Sequence, residues 1–175
     1  MRLKPVPDPP TDLDALREYR RAVPLVPGDA DDCCARLRRR CDLPDRQTAN
    51  DWLAFLRAFG LVEETARGFV RADAEPTPER VREGLRDGVL FVPEALAALR
   101  EASLDDPLTA ADLFAATRDR VPRHERARDP DWEAAWRDRA ARLLGWLALV
   151  DLAALVAGDE SETDRDAGYV GGDAL

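Results

Sequence analysis

The amino-acid sequence predicts a mainly α-helical protein with small β-hairpins, built from two similar units in tandem. Three observations predict this fold class: an internal duplication, residues that start and end helices, and an apolar stripe at helical spacing in the third helix of each copy. A hydrophobic content of 45% over 175 residues is enough to fill two small cores. The predicted boundaries are residues 1–72 for the first unit, 73–91 for an acidic connecting helix and 92–175 for the second unit.

The duplication consists of three blocks that keep their order in both halves of the chain. Residues 29–40 align with residues 109–120 at an offset of 80, and residues 46–61 align with residues 137–152 at an offset of 91. The third block pairs Gly68-Phe69-Val70 with Gly168-Tyr169-Val170. Each block is short, but their common order predicts that both copies have the same series of elements.

The first two helices of each copy are predicted from their capping residues. Thr11 and Asp14 form a variant of the capping box and open a helix that extends to about residue 22. Asp29 then caps a short second helix. In the second copy, Pro93 lies in the first turn of a helix over about residues 92–102, and Thr109 caps the next helix.

The third helix of the first copy is predicted over about residues 44–59. Its apolar residues recur at i, i+3, i+4 and i+7, and Gly60 ends the run. Residues 61–71 then have the pattern of two short strands around a turn. Thr77 and Pro78 begin the connecting helix. The residues expected in the cores are Trp52, Leu53, Leu56 and Leu61 in the first copy, and Leu144, Leu147 and Leu152 in the second.

This order of elements resembles the winged helix-turn-helix superfamily. The resemblance is carried by Trp52-Leu-Ala-Phe-Leu-Arg-Ala-Phe-Gly-Leu-Val62, followed by Gly68-Phe-Val-Arg71, and it extends over about three quarters of the chain. The superfamily includes transcription regulators, in which the third helix enters the major groove, and also subunits that hold other proteins. The resemblance therefore implies two tandem winged-helix domains and leaves both kinds of partner open.

For a DNA-binding member, the resemblance implies that the third helix reads bases and that the hairpin, or wing, contacts phosphate. The residue types suit this task, because arginine pairs with guanine and glutamine or asparagine with adenine. The alternative is that these side chains are solvated or contact a protein. The predicted DNA-binding residues are Arg46, Gln47, Thr48, Asn50 and Arg57 on the third helix, Arg67 and Arg71 at the wing, and Arg39, with Arg36 and Arg40, on the preceding helix.

The second copy differs from the first at two places that bear on function. An insertion before its long helix contains four basic residues that suit a local phosphate contact, whereas its wing is acidic and would be repelled by phosphate. The insertion residues are Arg123, His124, Arg126 and Arg128; the wing residues are Asp159, Glu160, Glu162, Asp164 and Asp166, with Arg165. We therefore expect the first copy to read DNA and the second to dock or dimerise.

Trp132 and Trp136 are interpreted as core residues, with a partner-binding patch as the alternative.

Neither a metal site nor a catalytic site is predicted. Cys33, Cys34 and Cys41 lack the spacing of zinc ligands, and His124 is the only histidine. A buried apolar role is favoured for these cysteines, and redox sensing by the adjacent pair is the alternative. No Gly-x-Ser-x-Gly or Gly-Lys-Ser/Thr motif occurs, so no catalytic residue and no cofactor is expected.

The charge composition resembles that of proteins from salt-loving archaea. The net charge is -9, and Lys4 is the only lysine among the 26 basic residues. At molar salt the Debye length is about 3 Å, so local charge says more about partners than net charge does.

Without an apolar run long enough for a membrane span, we expect a cytoplasmic protein. The function hypothesis is a sequence-specific double-stranded DNA-binding protein acting as a transcriptional regulator. The alternative is an interaction subunit of a larger complex, or a homodimer.

Overall fold

The computed structural model describes residues 5–156 and 167–175, and it divides the chain into two compact units, Met1–Leu90 and Phe91–Leu175. Both units are helical, and each carries one antiparallel two-stranded hairpin. The predicted fold class, mainly α with small β-hairpins, is confirmed. The acidic wing residues between 159 and 166 lie outside the described residues. Within the described ranges, no helix has the length and hydropathy needed to cross a membrane.

From residue 5 onward, where the structure describes it, the first unit contains four helices and one hairpin. In the hairpin, Val62 pairs with Arg71 and Thr65 with Gly68, so residues 66 and 67 form the turn. The elements are α1 (Leu13–Ala22), α2 (Ala30–Cys41), α3 (Arg46–Ala58), β1 (Val62–Thr65), β2 (Gly68–Arg71) and α4 (Pro78–Gly88).

Aspartate side chains cap the first three helices of this unit. Asp29 accepts a hydrogen bond from the Asp32 N–H at 2.8 Å, as predicted, and Asp45 accepts one from the Thr48 N–H at 2.7 Å. The predicted capping box at Thr11 is wrong, because Asp12 caps α1 by accepting from the Ala15 N–H at 2.7 Å. An ionised carboxylate accepts a stronger, charge-assisted hydrogen bond than a hydroxyl does, which favours the aspartate as cap.

The core of the first unit forms where α3 packs against α1 and α2. Trp52, Leu53, Leu56 and Leu61 are all buried, which confirms the prediction. The Tyr19 ring of α1 stacks on the Trp52 ring with their centroids 3.8 Å apart. The apolar stripe of α3 therefore faces inward and fixes which side of that helix remains accessible.

The segment before α2 pairs with the outer side of the hairpin. Gly28 and Phe69 exchange two backbone hydrogen bonds of 2.7 and 3.0 Å, and the Arg71 N–H donates to the Pro24 carbonyl at 2.8 Å. Five residues, 24–28, thus lie opposite only three, 69–71. The extra residues Leu25 and Val26 bulge outward, and they are 71% and 73% exposed.

Helix α4, predicted as part of a connecting segment, packs against α3 within the first unit. Gly84 lies so close to the end of α3 that a Cβ atom there would be 2.5 Å from the Phe59 ring. Val81 and Leu85 are fully buried. The amphipathic pattern of this helix is thus used for core packing, and the boundary between the two units falls after it, at residues 90 and 91.

Within the described residues, the second unit repeats the order of α1, α2, α3 and the hairpin, with an additional helix before its long helix and no counterpart of α4. Thr109 and Asp112 form a reciprocal capping box at its second helix, and Leu108 exchanges backbone hydrogen bonds with Tyr169 as Gly28 does with Phe69. The predicted core residues Leu144, Leu147 and Leu152 are fully buried. The elements are α5 (Val92–Glu101), α6 (Ala110–Thr117), a 3₁₀ turn (Arg118–Arg120), α7 (Arg123–Arg128), α8 (Trp132–Leu149), β3 (Ala153–Leu155) and β4 (Tyr169–Gly171). The insertion noted in the sequence forms α7.

Candidate nucleic-acid interface

The solvent side of α3 carries a row of polar side chains, which we call the α3 stripe. Its position follows from the inward side of the helix: with the apolar residues in the core, the polar residues between them face solvent. Thr48, the other predicted contact on α3, is half-buried. The α3 stripe consists of Arg46, Gln47, Asn50 and Arg57, all exposed.

At the start of the α3 stripe, two polar groups are held by carboxylates of the same unit. Arg46 forms an ion pair with Asp31 of α2, and Gln47 Nε2 donates to Asp51 Oδ1 at 2.8 Å. The side chains of Arg46 and Asp31 are 71% and 74% exposed, and such pairs contribute only about 0–1 kcal/mol. Arg46 can therefore exchange this partner for another acceptor at small cost.

The cap residue adds a fixed negative charge beside the α3 stripe. Hydrogen bonds from the backbone N–H of Thr48 lower the pKa of Asp45 below its ordinary value. The carboxylate is therefore ionised over the whole neutral range. An approaching phosphate would be repelled by Asp45, so the position of Arg46 beside it matters for any nucleic-acid contact.

At the far end of the stripe, Arg57 joins α3 to the hairpin. Its guanidinium lies 2.5 Å from Glu64 of β1 and stacks over the Phe69 ring at 5.5 Å from the centroid. Arg67 lies in the turn of the hairpin and is exposed. The structure thus places Arg57, the last residue of the α3 stripe, against the hairpin, with Arg67 at the wing tip.

The remaining predicted contacts lie on α2 and at the other end of the hairpin. Arg39 is exposed on α2. Arg71 pairs with Val62 at the root of the hairpin, three residues from the turn, or about 10 Å along the strand. Burial lowers the pKa of Arg71, and neighbouring arginines of α1 and α2 lower it further. Arg71 therefore belongs with those helices and is separated from the wing tip, where the wing is expected to contact phosphate.

The corresponding helix of the second unit, α8, presents fewer hydrogen-bonding groups. Arg137, which aligns with Arg46, is exposed. At the same offset of 91, Gln47 aligns with Asp138, whereas Asn50 and Arg57 align with Ala141 and Ala148. Because the two alanine side chains have neither donors nor acceptors, this side of α8 offers fewer groups that could read a base edge than the α3 stripe does.

The tryptophans of α8 are largely engaged within the second unit. Trp136 is buried, its ring contacts Phe91, and the Arg139 guanidinium lies 4.5 Å from its centroid. Trp132 is half-buried, with guanidinium groups of Arg118 and Arg126 each 5.6 Å from its ring. Of these two side chains, Trp132 thus presents part of its surface to solvent, whereas Trp136 packs in the core.

The basic residues of the insertion are divided between solvent and internal contacts. Arg126 uses its donors on the carbonyls of Val121 and Asp119, both at 2.9 Å. The other three basic residues of the segment, Arg123, His124 and Arg128, are exposed. The insertion therefore keeps exposed basic groups on α7, but Arg126 helps to hold α7 in place.

The cysteines differ in accessibility. Cys33 and Cys34 are buried, and burial raises the pKa of both thiols. Cys41 is half-buried, and burial with the nearby charge of Glu18 raises its pKa to about 11. Among the described residues, no group of three His, Cys, Asp or Glu side chains is placed to hold a metal ion.

We expect Cys41 to react about 100-fold more slowly with iodoacetamide at pH 7.5 in the native protein than in urea. The reactive species is the thiolate, and raising the pKa from 9.0 to about 11 lowers its fraction about 100-fold. Peptide mass spectrometry at timed intervals measures the rate. Equal rates in the native and denatured protein would contradict the environment described for Cys41.

Comparison with known proteins gives one result. A family model described as "Halobacterial double winged helix domain" matches residues 1–167. No curated protein and no solved structure matches the chain. The match spans both units, in agreement with the duplication seen in the sequence and in the structure.

Proposed function

The chain belongs to the halobacterial double winged helix domain family, and on that premise we propose that it is a sequence-specific double-stranded DNA-binding protein acting as a transcriptional regulator. The first unit binds the DNA. The observation that carries the proposal is the α3 stripe, an exposed row that begins at the helix N-terminus and ends at the wing. Winged-helix DNA-binding proteins place this helix in the major groove.

The chemistry of the α3 stripe supports base reading. Arg46 offers a guanidinium fork that matches the O6 and N7 atoms of guanine, and Gln47 and Asn50 match the N6 and N7 atoms of adenine. The carboxylates of Asp31 and Asp51 hold two of these groups in place before DNA arrives. They also compete with DNA, so a correct base sequence must supply better acceptors than the protein's own. This competition favours specificity over general affinity.

The second unit is proposed to dock rather than to read DNA. The small side chains along α8 after Arg137 support this division of roles. A second unit with little base-reading chemistry is free to contact another copy or another protein.

A purely protein-binding role is the second candidate function. Leu25 and Val26 favour it, because two neighbouring apolar side chains that are 71% and 73% exposed on one bulge suit a protein contact. Apolar side chains such as these gain little from contact with DNA, because phosphate and sugar dominate the outer surface of DNA. This candidate predicts that binding to a partner depends on the bulge and is indifferent to the α3 stripe.

Replacing Arg46 and Gln47 together by alanine is expected to weaken binding to a selected duplex by about tenfold to a hundredfold for each base-reading side chain removed. Fluorescence anisotropy with a duplex selected from a random pool measures the change. Arg137→Ala, at the aligned position of α8, is the matched control and is expected to leave affinity unchanged. Circular dichroism checks that both variants are folded. Equal losses of affinity in the two variants would assign binding to general charge rather than to the α3 stripe.

A further inference from the structure

A second group of basic side chains, which we call the arginine cluster, gathers at the C-terminal end of α1. Arg36 Nε donates to the Ala22 carbonyl at 3.2 Å, and Arg40 Nη1 donates to the Arg21 carbonyl at 3.3 Å. The last carbonyls of a helix lack intrahelical partners, so they attract donors of this kind. Because the two carbonyls are adjacent in the chain, the two guanidinium groups of α2 are brought side by side. The cluster consists of Arg20, Arg21, Arg36, Arg40 and Arg71.

The end of the hairpin adds the remaining groups. Arg20 Nη2 donates to the Ala72 carbonyl at 2.9 Å, which places its guanidinium next to Arg71. The Arg71 backbone N–H is bonded to the Pro24 carbonyl, two residues beyond Ala22. Main-chain contacts from three directions, α1, α2 and β2, thus hold the arginine cluster together.

The arginine cluster has fewer carboxylates than guanidinium groups. Glu18 pairs with Arg21 at 2.6 Å, and Glu75 pairs with Arg20 at 2.9 Å. Among the described residues, Arg36, Arg40 and Arg71 form no ion pair. Three positive charges are therefore uncompensated in a chain whose net charge is -9.

Two donors in the arginine cluster are also unsatisfied. The Nε atoms of Arg20 and Arg71 are buried and have no hydrogen-bond partner within the described part of the chain. A buried polar group without a partner is costly, and native structures almost always satisfy it with water, an ion or a ligand. The lowered pKa of Arg71 agrees with this interpretation, because it reflects burial among positive charges. An anion placed here would accept from Arg71 and relieve the repulsion.

We propose that Arg36, Arg40 and Arg71 form a binding site for a phosphate group. Three uncompensated guanidinium groups call for a multiply charged anion with several acceptor oxygens, and phosphate combines a double negative charge with a tetrahedral set of acceptors. A single carboxylate has two oxygens and one charge, so it matches one guanidinium and leaves the others uncompensated. The site is separate from the α3 stripe, and the inference does not rest on the DNA-binding proposal.

The phosphate has two possible sources, which share this chemistry. One source is inorganic phosphate or a small phosphate ester, bound as a free anion. The other is a nucleic-acid backbone, in which adjacent phosphates, each with one charge and two free oxygens, would together supply the charge. The backbone would then contact the first unit at α1 and α2 in addition to any contact with α3. The arginine side-chain N–H signals in nuclear magnetic resonance spectra report on both. The Arg71 Nε–H has no partner among the described residues and is free to donate to the anion, whereas the Arg36 Nε–H donates to the Ala22 carbonyl and senses an anion bound elsewhere on its guanidinium.

The test is a titration of the full chain, labelled with ¹⁵N, in a buffer where glutamate replaces chloride. Inorganic phosphate is added first, and a 12-base-pair duplex is added in a separate series. We expect saturable shifts of the Nε–H signals of Arg36, Arg40 and Arg71. Arg38→Gln, an exposed position on α2, is the matched control and should leave the dissociation constant unchanged. Arg40→Gln should raise it about tenfold.

The outcomes separate the sources and test the site. Saturation by inorganic phosphate identifies a free anion as ligand. Shifts of the same signals by the duplex alone, retained when Arg46 and Gln47 are replaced by alanine, identify the nucleic-acid backbone. The proposal is overturned if neither titrant shifts the Arg71 signal more than that of Arg38. Because wild-type signals decide this point, the result does not depend on whether any variant folds.

Discussion

Replacing Leu56 by alanine is expected to lower the free energy of unfolding of the first unit by about 2–5 kcal/mol, as cavity-forming substitutions in cores do. Leu56 is fully buried on the inward side of α3. The truncated side chain leaves a cavity among Trp52, Leu53 and the helices packed on α3, and close-packed neighbours relax only partly to fill it. Since a small unit has only about 5–15 kcal/mol of stability, the loss is a large fraction of the total.

Urea denaturation at constant salt, followed by the tryptophan fluorescence of the first unit, measures this change. Salt must be held constant because an acidic chain of this composition depends on it for solvation. Gln47→Ala, exposed on the same helix, is the control and should change stability by less than about 0.5 kcal/mol. A loss below that value for Leu56→Ala would mean that α3 does not pack as described.

The second large loss of stability is expected when Gly68, the first residue of β2, is replaced by alanine. Its φ of 115° lies in the region that favours glycine, and a Cβ atom there would lie 2.1 Å from the Gly28 carbonyl oxygen. Gly68→Ala must therefore break the pairing of Gly28 with Phe69 as well as strain the backbone. Backbone strain of this kind costs about 1–3 kcal/mol, and each broken hydrogen bond adds about 1 kcal/mol.

Gly60→Ala is the matched comparison for this prediction. Gly60 also has a positive φ, 64°, but its added Cβ would meet only the flexible Arg80 side chain at 3.1 Å. We expect Gly60→Ala to cost about 1–2 kcal/mol from the left-handed conformation alone. Thermal unfolding of both variants separates the two causes. If the two variants lose the same stability, the contact between the hairpin and residue 28 contributes nothing to the stability of the first unit. The hairpin must then be held by other contacts.

The elements that the sequence predicts well are those determined by neighbouring residues. Helix α3 needs only its aspartate cap, its apolar spacing and Gly60, all of which are local. The pairing of Leu108 with Tyr169, which repeats that of Gly28 with Phe69, follows the aligned blocks of the duplication. The α1 cap is harder to assign, because Thr11 and Asp12 are both good capping residues in adjacent positions, and only the chain path decides between them.

The features that the sequence does not predict depend on contacts between distant residues. Helix α4 resembles a connecting segment, because nothing in its sequence shows that Gly84 allows close approach to Phe59. The partner of Arg46 is Asp31, fifteen positions earlier, on another helix. Arg71 follows the turn in the sequence and is therefore predicted at the wing, whereas strand geometry places it at the end of the hairpin opposite the turn. The arginine cluster is spread over about fifty residues of sequence and shows no local motif.

The central claim is that the first unit reads a DNA sequence, and a single titration of the wild-type protein tests it most directly. Duplexes are first selected from a random pool, and the best is compared with a random duplex by fluorescence anisotropy at low and at molar salt. Counterion release contributes little at molar salt, so direct base contacts must maintain the preference there. We predict that the selected duplex binds at least about tenfold more tightly at both salt concentrations. Equal binding of the two duplexes, or none, at both concentrations would contradict the claim and favour the protein-binding role.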